Sequence, residues 1–142
     1  MLEISAIKDE MTLRSVLDMC YRILGEHTRN IENYRYEDWK ARINGYSEIL
    51  LYAHDDNKII SAVLGRKEND DSIIIGFTAC EEDYRKIGIT KCIMKLFEIN
   101  AKNLGFKYIT LGSDQEAELF YEKCGYHMIN ELHGQKIYQK LL

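Results

Sequence analysis

The sequence contains no proline, and it also lacks most of the patterns that would reveal a function at once. Its four cysteines form no C-x-x-C pair and its four histidines show no ligand spacing, so we expect neither a disulfide framework nor a metal site. No apolar run approaches the roughly 18 residues that a membrane-spanning helix needs. The first residues, MLEISAIKDEM, lack the basic and apolar regions of a signal peptide, which predicts a cytoplasmic protein with no membrane partner.

A long run of basic residues is absent as well. Lysine and arginine number 19 against 23 aspartates and glutamates, a formal net charge of −4, whereas nucleic-acid-binding domains usually carry a basic patch. This balance disfavours nucleic acid as a partner and is compatible with a cationic substrate such as an amine. The 142 residues, 46% of them hydrophobic, suit one globular domain over residues 1–142.

Without proline, glycines and Asn/Asp clusters divide the chain into a predicted order of β-α-α-β-β-β-α-β-α-β-β. The predicted strands are 2–7, 48–54, 59–66, 72–80, 107–113 and two closing strands, YHMINEL and QKIYQKLL. The predicted helices are 12–25, 33–44, 88–104 and 114–124. The strand–helix–strand unit from 72 to 112 should join two parallel strands, while the flanking hairpins make the sheet mixed, so we expect an α/β (α+β) fold.

A short basic segment, RKIGIT (85–90), lies between the apolar strand 72–80 and the helix that follows it. A helix N-terminus leaves backbone N–H groups without partners, and these attract an anion. Gly88 lets the backbone approach such a ligand closely, and Arg85 and Lys86 add positive charge. Neither the mononucleotide P-loop pattern nor G-x-G-x-x-G is present. The segment therefore predicts either an anion site or a solvated basic loop ahead of a core helix.

Two longer motifs at their observed spacing favour the anion site. FTACEEDYRKIGIT (77–90) and DQEAELFYEKCGY (114–126), with the predicted order of elements, resemble the GNAT superfamily of acyl-CoA-dependent N-acyltransferases. The resemblance covers nearly the whole chain. It implies a mostly antiparallel sheet of about seven strands, with a central parallel pair splayed for acyl-CoA. It also implies an acetyltransferase that uses acetyl-CoA as co-substrate and needs no metal.

The resemblance also assigns cofactor contacts to individual residues. Backbone amides of the family's R-x-x-G-x-[GA] motif bind the coenzyme A pyrophosphate, and the matching residues are Arg85, Lys86, Ile87, Gly88, Ile89 and Thr90. The preceding strand offers backbone groups to the pantetheine arm, and the matching residues are Phe77, Thr78, Ala79 and Cys80. An asparagine that often contacts the cofactor is replaced here by Asp114, which cannot donate a hydrogen bond when ionised and could instead cap the next helix.

Acetyl transfer to an amine needs a base and an acid, and the sequence offers candidates for both. The family tyrosine beside the thioester sulfur corresponds to Tyr121, whose hydroxyl could protonate the departing thiolate. Read without the family, Tyr121 is a core tyrosine. Glu81 and Glu82 are the nearest candidate bases, although alternation should turn at most one of them into the cleft and both could belong to an exposed acidic loop.

The acceptor is the least constrained part of the prediction. Tyr34, Tyr36 and Trp39 lie among acidic residues in a segment that often lines the acceptor pocket in this family, and aromatic rings with carboxylates suit a cation. A plain amphipathic helix explains them equally well. We expect acetyl transfer to a primary amine of a small molecule or a peptide. The alternative is an acyl-CoA-binding module with little catalysis, and the oligomeric state stays open, a homodimer included.

Overall fold

The computed structural model describes residues 1–142, and its seven strands and four α-helices follow one another in the predicted order. The strands are β1 (Leu2–Ala6), β2 (Leu50–Asp55), β3 (Lys58–Lys67), β4 (Ser72–Cys80), β5 (Tyr108–Ser113), β6 (His127–Leu132) and β7 (Gln135–Leu141). The helices are α1 (Glu10–Leu24), α2 (Tyr36–Tyr46), α3 (Ile89–Asn103) and α4 (Glu118–Lys123). None of the helices combines the length and hydropathy that crossing a membrane requires.

All seven strands form one sheet in the order β1-β2-β3-β4-β5-β7-β6. Every neighbouring pair is antiparallel except β4 and β5, which run parallel and are connected by α3. The parallel ladder extends only from Ser72, opposite Tyr108, to Ile75, opposite Leu111. The remaining residues of β4 have no partner on β5, so a gap opens between the carboxyl ends of the two central strands. The expected mixed, mostly antiparallel sheet with a splayed parallel pair is confirmed.

A β-bulge in β4 determines which side chains face this gap. Leu64 of β3 lies opposite Phe77, whereas the next residue, Gly65, lies opposite Ile75, so Gly76 is an extra residue on β4. An extra residue reverses the alternation of the strand. Ile75 accordingly packs into the core beneath α3, while Phe77 packs into the core beneath α1. A Cβ atom at Gly76 would lie 2.7 Å from the Tyr34 ring, which explains why glycine occupies the bulge.

The two faces of the sheet are covered by amphipathic helices. On α3 the apolar residues recur every four positions, and Ile93, Phe97 and Ala101 are fully buried against one face of the sheet. On α1 the residues Leu13 and Val16 are fully buried against the other face. The carboxylate of Asp9 caps α1 by accepting the backbone N–H of Thr12 at 2.8 Å. These helices hold the two central strands from both sides and leave their separated ends open.

Two helices start later than predicted, for local reasons. The predicted helix 33–44 begins at Tyr36, because Asn33 has a left-handed backbone with φ 76°. The predicted helix 114–124 begins at Glu118. Asp114 there accepts the backbone N–H of Ala117 at 2.9 Å and holds a separate turn ahead of α4.

Candidate active site

Two adjoining pockets occupy the gap between the ends of β4 and β5. The larger has a volume of about 690 Å³ and extends to the N-terminus of α3, while the smaller has a volume of about 270 Å³ and lies toward β5. Five residues line both pockets and therefore mark their junction: Leu24, Thr78, Asp114, Ala117 and Tyr121. A ligand that extends through the larger pocket would meet a second ligand at this junction.

The basic segment 85–90 forms one end of the larger pocket. Lys86 and Gly88 both have left-handed backbone conformations, with φ of 72° and 82°, which turn the chain sharply into α3. Gly88 is the N-terminal boundary of that helix, and no side chain caps the free N–H groups of the first turn. A Cβ at Gly88 would have no heavy atom within 4 Å, so open space lies in front of these groups. The loop thus forms a cradle suited to an anion.

All six residues of the segment were predicted to contact the cofactor, and five of them line the larger pocket: Arg85, Lys86, Gly88, Ile89 and Thr90. Ile87 does not line it, and its side chain is 62% exposed to solvent. The predicted segment is therefore brought together at one end of the pocket.

Thr90, which occupies a position usually taken by Gly or Ala in the motif, ties the loop to the sheet. Its hydroxyl lies 3.2 Å from the hydroxyl of Ser61, a fully buried residue of β3. Ser61 donates its proton to the backbone carbonyl of Ala79 at 2.8 Å, so Thr90 must be the donor to Ser61. This chain of hydrogen bonds connects the start of α3 with β3 and β4.

The four strand residues expected to offer backbone groups to the cofactor differ in the direction of those groups. Glu81 donates its backbone N–H to Ile60 at 2.8 Å, and hydrogen-bonded pairs alternate along an antiparallel ladder. By that register Phe77 and Ala79 bond to β3, whereas Thr78 and Cys80 direct their backbone groups into the gap. Thr78 and Cys80 are thus the two of the four residues whose backbone groups are free for a ligand, while Ala79 also lines the larger pocket. The carbonyl of Cys80 accepts a hydrogen bond from Nε of Arg85 at 3.2 Å.

Tyr121 lies at the junction of the pockets and is only 6% exposed. Burial is the main cause that raises the pKa of its hydroxyl above the ordinary value, and the nearby Thr78 hydroxyl offsets part of that rise. The charge of Asp114 raises the pKa further. Tyr121 is thus held in its protonated form, as a proton donor must be. Thr78 Oγ1 is buried beside it without a well-formed hydrogen bond, which points to a polar group of a ligand at this place.

The two predicted bases lie outside both pockets. Glu81 forms an ion pair with Arg22 of α1 at 2.9 Å. Glu82 is exposed on a 3-10 turn, Glu82–Tyr84, that follows β4. Asp114 is instead the only carboxylate that lines the smaller pocket. Only its Oδ1 is bonded, to the backbone N–H of Ala117, which leaves the second oxygen free.

Of the three aromatic residues predicted to contact the acceptor, only Tyr34 lines a pocket. Trp39 is fully buried between α2 and the sheet, where its ring lies 5.5 Å from that of Phe77. Tyr36 lies outside the pockets and donates its hydroxyl to Glu10 at 3.1 Å. The inward face of α2 packs on the sheet, which removes Trp39 from any contact with a ligand in the gap.

Sequence reasoning missed two features of the site. It did not identify Ser61, although a serine between Ile60 and Ala62 in an otherwise apolar strand is a recognisable signal. It treated Asp114 only as a cofactor contact or a helix cap. No pattern in the sequence shows that Asp114 lies where two pockets meet, since that depends on how far β4 and β5 separate.

Comparison with known proteins gives the family. The family model for the acetyltransferase (GNAT) domain matches residues 20–136, which is most of the chain. None of the curated protein sequences matches this chain.

Solved structures share the fold at low sequence identity. The PaiA N-acetyltransferase from Thermoplasma acidophilum, solved with coenzyme A, superposes with a TM-score of 0.80 at 15% identity, covering 100% of this chain and 99% of its own. An aminoglycoside 6'-N-acetyltransferase complexed with coenzyme A gives 0.79 at 16% identity, covering 98% and 96%. Naa50 from Arabidopsis thaliana, in complex with the bisubstrate analogue CoA-Ac-MVNAL, gives 0.76 at 17% identity, covering 98% and 97%. The family model matches most of the chain, and the cradle at Gly88 and the splayed central strands agree with it. The chain therefore belongs to the GNAT acetyltransferase family.

Proposed function

We propose that this protein transfers an acetyl group from acetyl-CoA to a primary amine, with the reaction taking place where the two pockets meet. One observation carries the proposal. The residues shared by both pockets include a buried tyrosine held protonated, Tyr121, a free carboxylate oxygen, on Asp114, and an unpartnered buried hydroxyl, on Thr78. An acid, a base and a polar anchor at one junction are what acyl transfer between two ligands requires.

The larger pocket fits coenzyme A. The free N–H groups at the start of α3 and the open space in front of Gly88 suit a pyrophosphate. Thr78 and Cys80 offer backbone groups along the edge of β4, as a strand does to an extended ligand. Arg85 would have to release the carbonyl of Cys80 for that contact, and its guanidinium would then be free to face a phosphate.

Acetyl-CoA supplies an activated acyl group as a thioester, and residues of this chain accept and donate the protons. Asp114 accepts one proton from the ammonium of the acceptor, directly or through a water molecule, so that the nitrogen can attack the carbonyl carbon. As the C–N bond forms and the C–S bond breaks, the nitrogen loses a second proton. Tyr121 gives its proton to the sulfur and regains one from the nitrogen through a water molecule. The products are an N-acetyl amide, free coenzyme A and one proton on Asp114, which passes to solvent.

Asp114 takes the role of base in preference to Glu81 and Glu82. It lines both pockets, whereas the two glutamates line neither. Glu81 is also engaged by Arg22, and moving it into the gap would break that ion pair. The base therefore comes from the end of β5 rather than from the end of β4.

The smaller pocket is the proposed acceptor site. It is lined by the aromatic residues Tyr34 and Tyr121 and by the carboxylate residue Asp114, so it suits a cationic group. Among proteins of the same fold, one was solved with a bisubstrate analogue that contains the sequence MVNAL, and another is named for an aminoglycoside. The acceptor class is accordingly a peptide amine or a small primary amine.

The test is release of the coenzyme A thiol from acetyl-CoA across a panel of short peptides, polyamines and aminoglycosides. We expect turnover with at least one class of primary amine and none with the same compounds blocked at the amine.

One observation favours a second candidate, an acyl-CoA-binding module with little catalysis. Asp114 is already bonded to the N–H of Ala117, so its only role could be structural. Calorimetry decides between the two: tight binding of acetyl-CoA with no thiol release on any amine supports the module.

A further inference from the structure

Three buried side-chain atoms in the whole chain have no hydrogen-bond partner. One is Thr78 Oγ1, in the site already described. The other two are both N–H donors, Nε of Arg66 on β3 and Nε1 of Trp39 on α2. Unpartnered buried donors are uncommon because each costs free energy, so they call for an acceptor. Both lie on the α2 side of the sheet, next to Tyr34.

Arg66 has a second arginine beside it, Arg42 of α2. The Arg42 guanidinium lies 4.4 Å above the centre of the Trp39 ring and donates to the backbone carbonyl of Asn33 at 2.8 Å. Neither Arg42 nor Arg66 forms a salt bridge, although ten ion pairs occur elsewhere in the chain. Since a charge removed from water is normally paired, two half-buried arginines without a carboxylate partner indicate a missing anion.

The two guanidinium groups are close enough to affect each other. Burial is the largest cause that lowers the pKa of Arg42, and the positive charge of Arg66 is the next. The negative charge of Asp38 raises the pKa of Arg42, but this carboxylate already accepts the backbone N–H of Arg35 at 3.1 Å. Two half-buried cations that repel each other, with no carboxylate bonded to either, form a site that an oxyanion would stabilise.

This arginine pair adjoins the proposed acceptor pocket through Tyr34. Tyr34 lines that pocket, and its ring centre lies 6.0 Å from the guanidinium carbon of Arg66. Arg66 is paired with Ile74 on β4, four residues before Thr78. Because Gly76 is an extra residue on β4, the distance is counted on β3, where Arg66 lies three residues from Val63, the partner of Thr78. At about 3.3 Å per residue, the backbone of Arg66 lies roughly 10 Å from that of Thr78 at the junction.

We propose that Arg42 and Arg66 form a subsite for a carboxylate of the acceptor, and that the acceptor is a peptide-like chain of three or four residues between its reactive amine and that carboxylate. The length follows from the distance, because an extended chain spans at most about 3.3 to 3.6 Å per residue. The inference rests on the proposed function, since it takes the amine to lie at the junction. It adds the chemical class of the acceptor: a zwitterionic chain rather than a polycation.

The experiment compares alanine peptides of two to six residues as free acids and as C-terminal amides, which differ only in the carboxylate. Calorimetric affinity and the rate of acetylation are measured for each peptide in the presence of saturating coenzyme A or acetyl-CoA. In the wild-type protein we expect the free acid to bind at least about fivefold tighter than the amide at three and four residues, and the difference to shrink at two and six.

Variants identify the residues responsible. Arg66→Met should abolish the preference for the free acid while leaving the affinity for amides within about twofold, and Arg66→Lys should keep part of the preference. Arg14→Met is the matched control, because Arg14 also lies over a tyrosine ring, at 4.0 Å from the centre of Tyr36, and forms no salt bridge. It should leave the preference unchanged.

The outcomes separate this inference from the proposed function. The subsite is overturned if free acids and amides bind equally at every length, or if no peptide binds. Either result counts whatever the rate of acetylation of other amines. An equal loss in Arg14→Met also overturns it, since that result indicates a general effect of net charge. A preference for free acids that depends on Arg66 supports the subsite even if no peptide is acetylated. The same preference with no acetylation of any amine in the panel would contradict the proposed function alone.

Discussion

Replacing Tyr121 by phenylalanine removes one hydroxyl group from a ring that is 6% exposed and leaves the packing of that ring intact. The ring lies edge to face with Phe120 at 5.3 Å and with Tyr126 at 6.0 Å between ring centres, and both contacts remain in the variant. The Tyr121 hydroxyl lies near that of Thr78 but forms no well-formed hydrogen bond with it, so the variant loses little hydrogen bonding. We therefore expect the free energy of unfolding to fall by less than about 1 kcal/mol.

The effect on turnover should be much larger. A general acid typically contributes about 10²- to 10⁴-fold to a rate, and a thiolate leaves fairly well even without a proton, so we expect the lower end. A fall in kcat of at least about tenfold corresponds to about 1.4 kcal/mol of barrier. The affinity for acetyl-CoA should change by less than about threefold, which is the pattern of a lost transition-state interaction.

Tyr126→Phe is the matched control. Tyr126 lies in the same core cluster but lines neither pocket, and its hydroxyl donates to Glu98 at 2.9 Å. It should lose about 1 kcal/mol or more of stability and keep its kcat, the reverse of Tyr121→Phe. The assay measures the melting temperature, acetyl-CoA affinity and thiol release on the same preparations. Unchanged kcat in Tyr121→Phe, or an equal fall in both variants, would refute the role of Tyr121 as the acid.

Three further predictions follow from the geometry. Asp114→Asn should lower kcat at least about tenfold and flatten the acid limb of the pH profile while acetyl-CoA still binds, and an unaltered profile would exclude Asp114 as the base. Gly88→Val should weaken coenzyme A binding far more than Arg85→Ala, because a β-branched residue disfavours φ 82° and fills the cradle. Equal losses of affinity in calorimetry would mean that side chains, rather than the backbone, bind the cofactor. Burial raises the pKa of Tyr21 to about 12, so the unfolded chain loses that proton first; stability should be intact below about pH 10 and fall as the pH rises toward 12, with a smaller slope in Tyr21→Phe.

The order of helices and strands could be predicted because it depends on local patterns. Apolar spacing on α1 and α3 and the glycines between elements are visible in the sequence, and the strand 72–80 has the predicted bounds. Helix starts were predicted less well. The left-handed backbone at Asn33 and the separate turn at Asp114 depend on contacts that no periodicity encodes.

The candidate site was predicted in part, and the errors have one physical cause: tertiary packing overrides local patterns. The segment 85–90 and Tyr121 could be named from motifs that are visible in the sequence, and Tyr121 and five residues of the segment line the larger pocket. The bulge at Gly76 changes which residues of β4 face the gap, and alternation alone could not show it. Trp39 was predicted as a ligand contact because an aromatic residue beside carboxylates suits a cation, yet packing on the sheet buries it completely.

The most direct test of acetyl transfer at the pocket junction is to identify the product. Wild-type protein is incubated with acetyl-CoA and each amine of the panel, and the amine is then analysed by mass spectrometry for the gain of one acetyl group. We expect an acetylated primary amine that forms in step with thiol release, and at least about tenfold less of it with Tyr121→Phe. Tight binding of acetyl-CoA without an acetylated product on any amine, or equal product from Tyr121→Phe, would contradict the central claim.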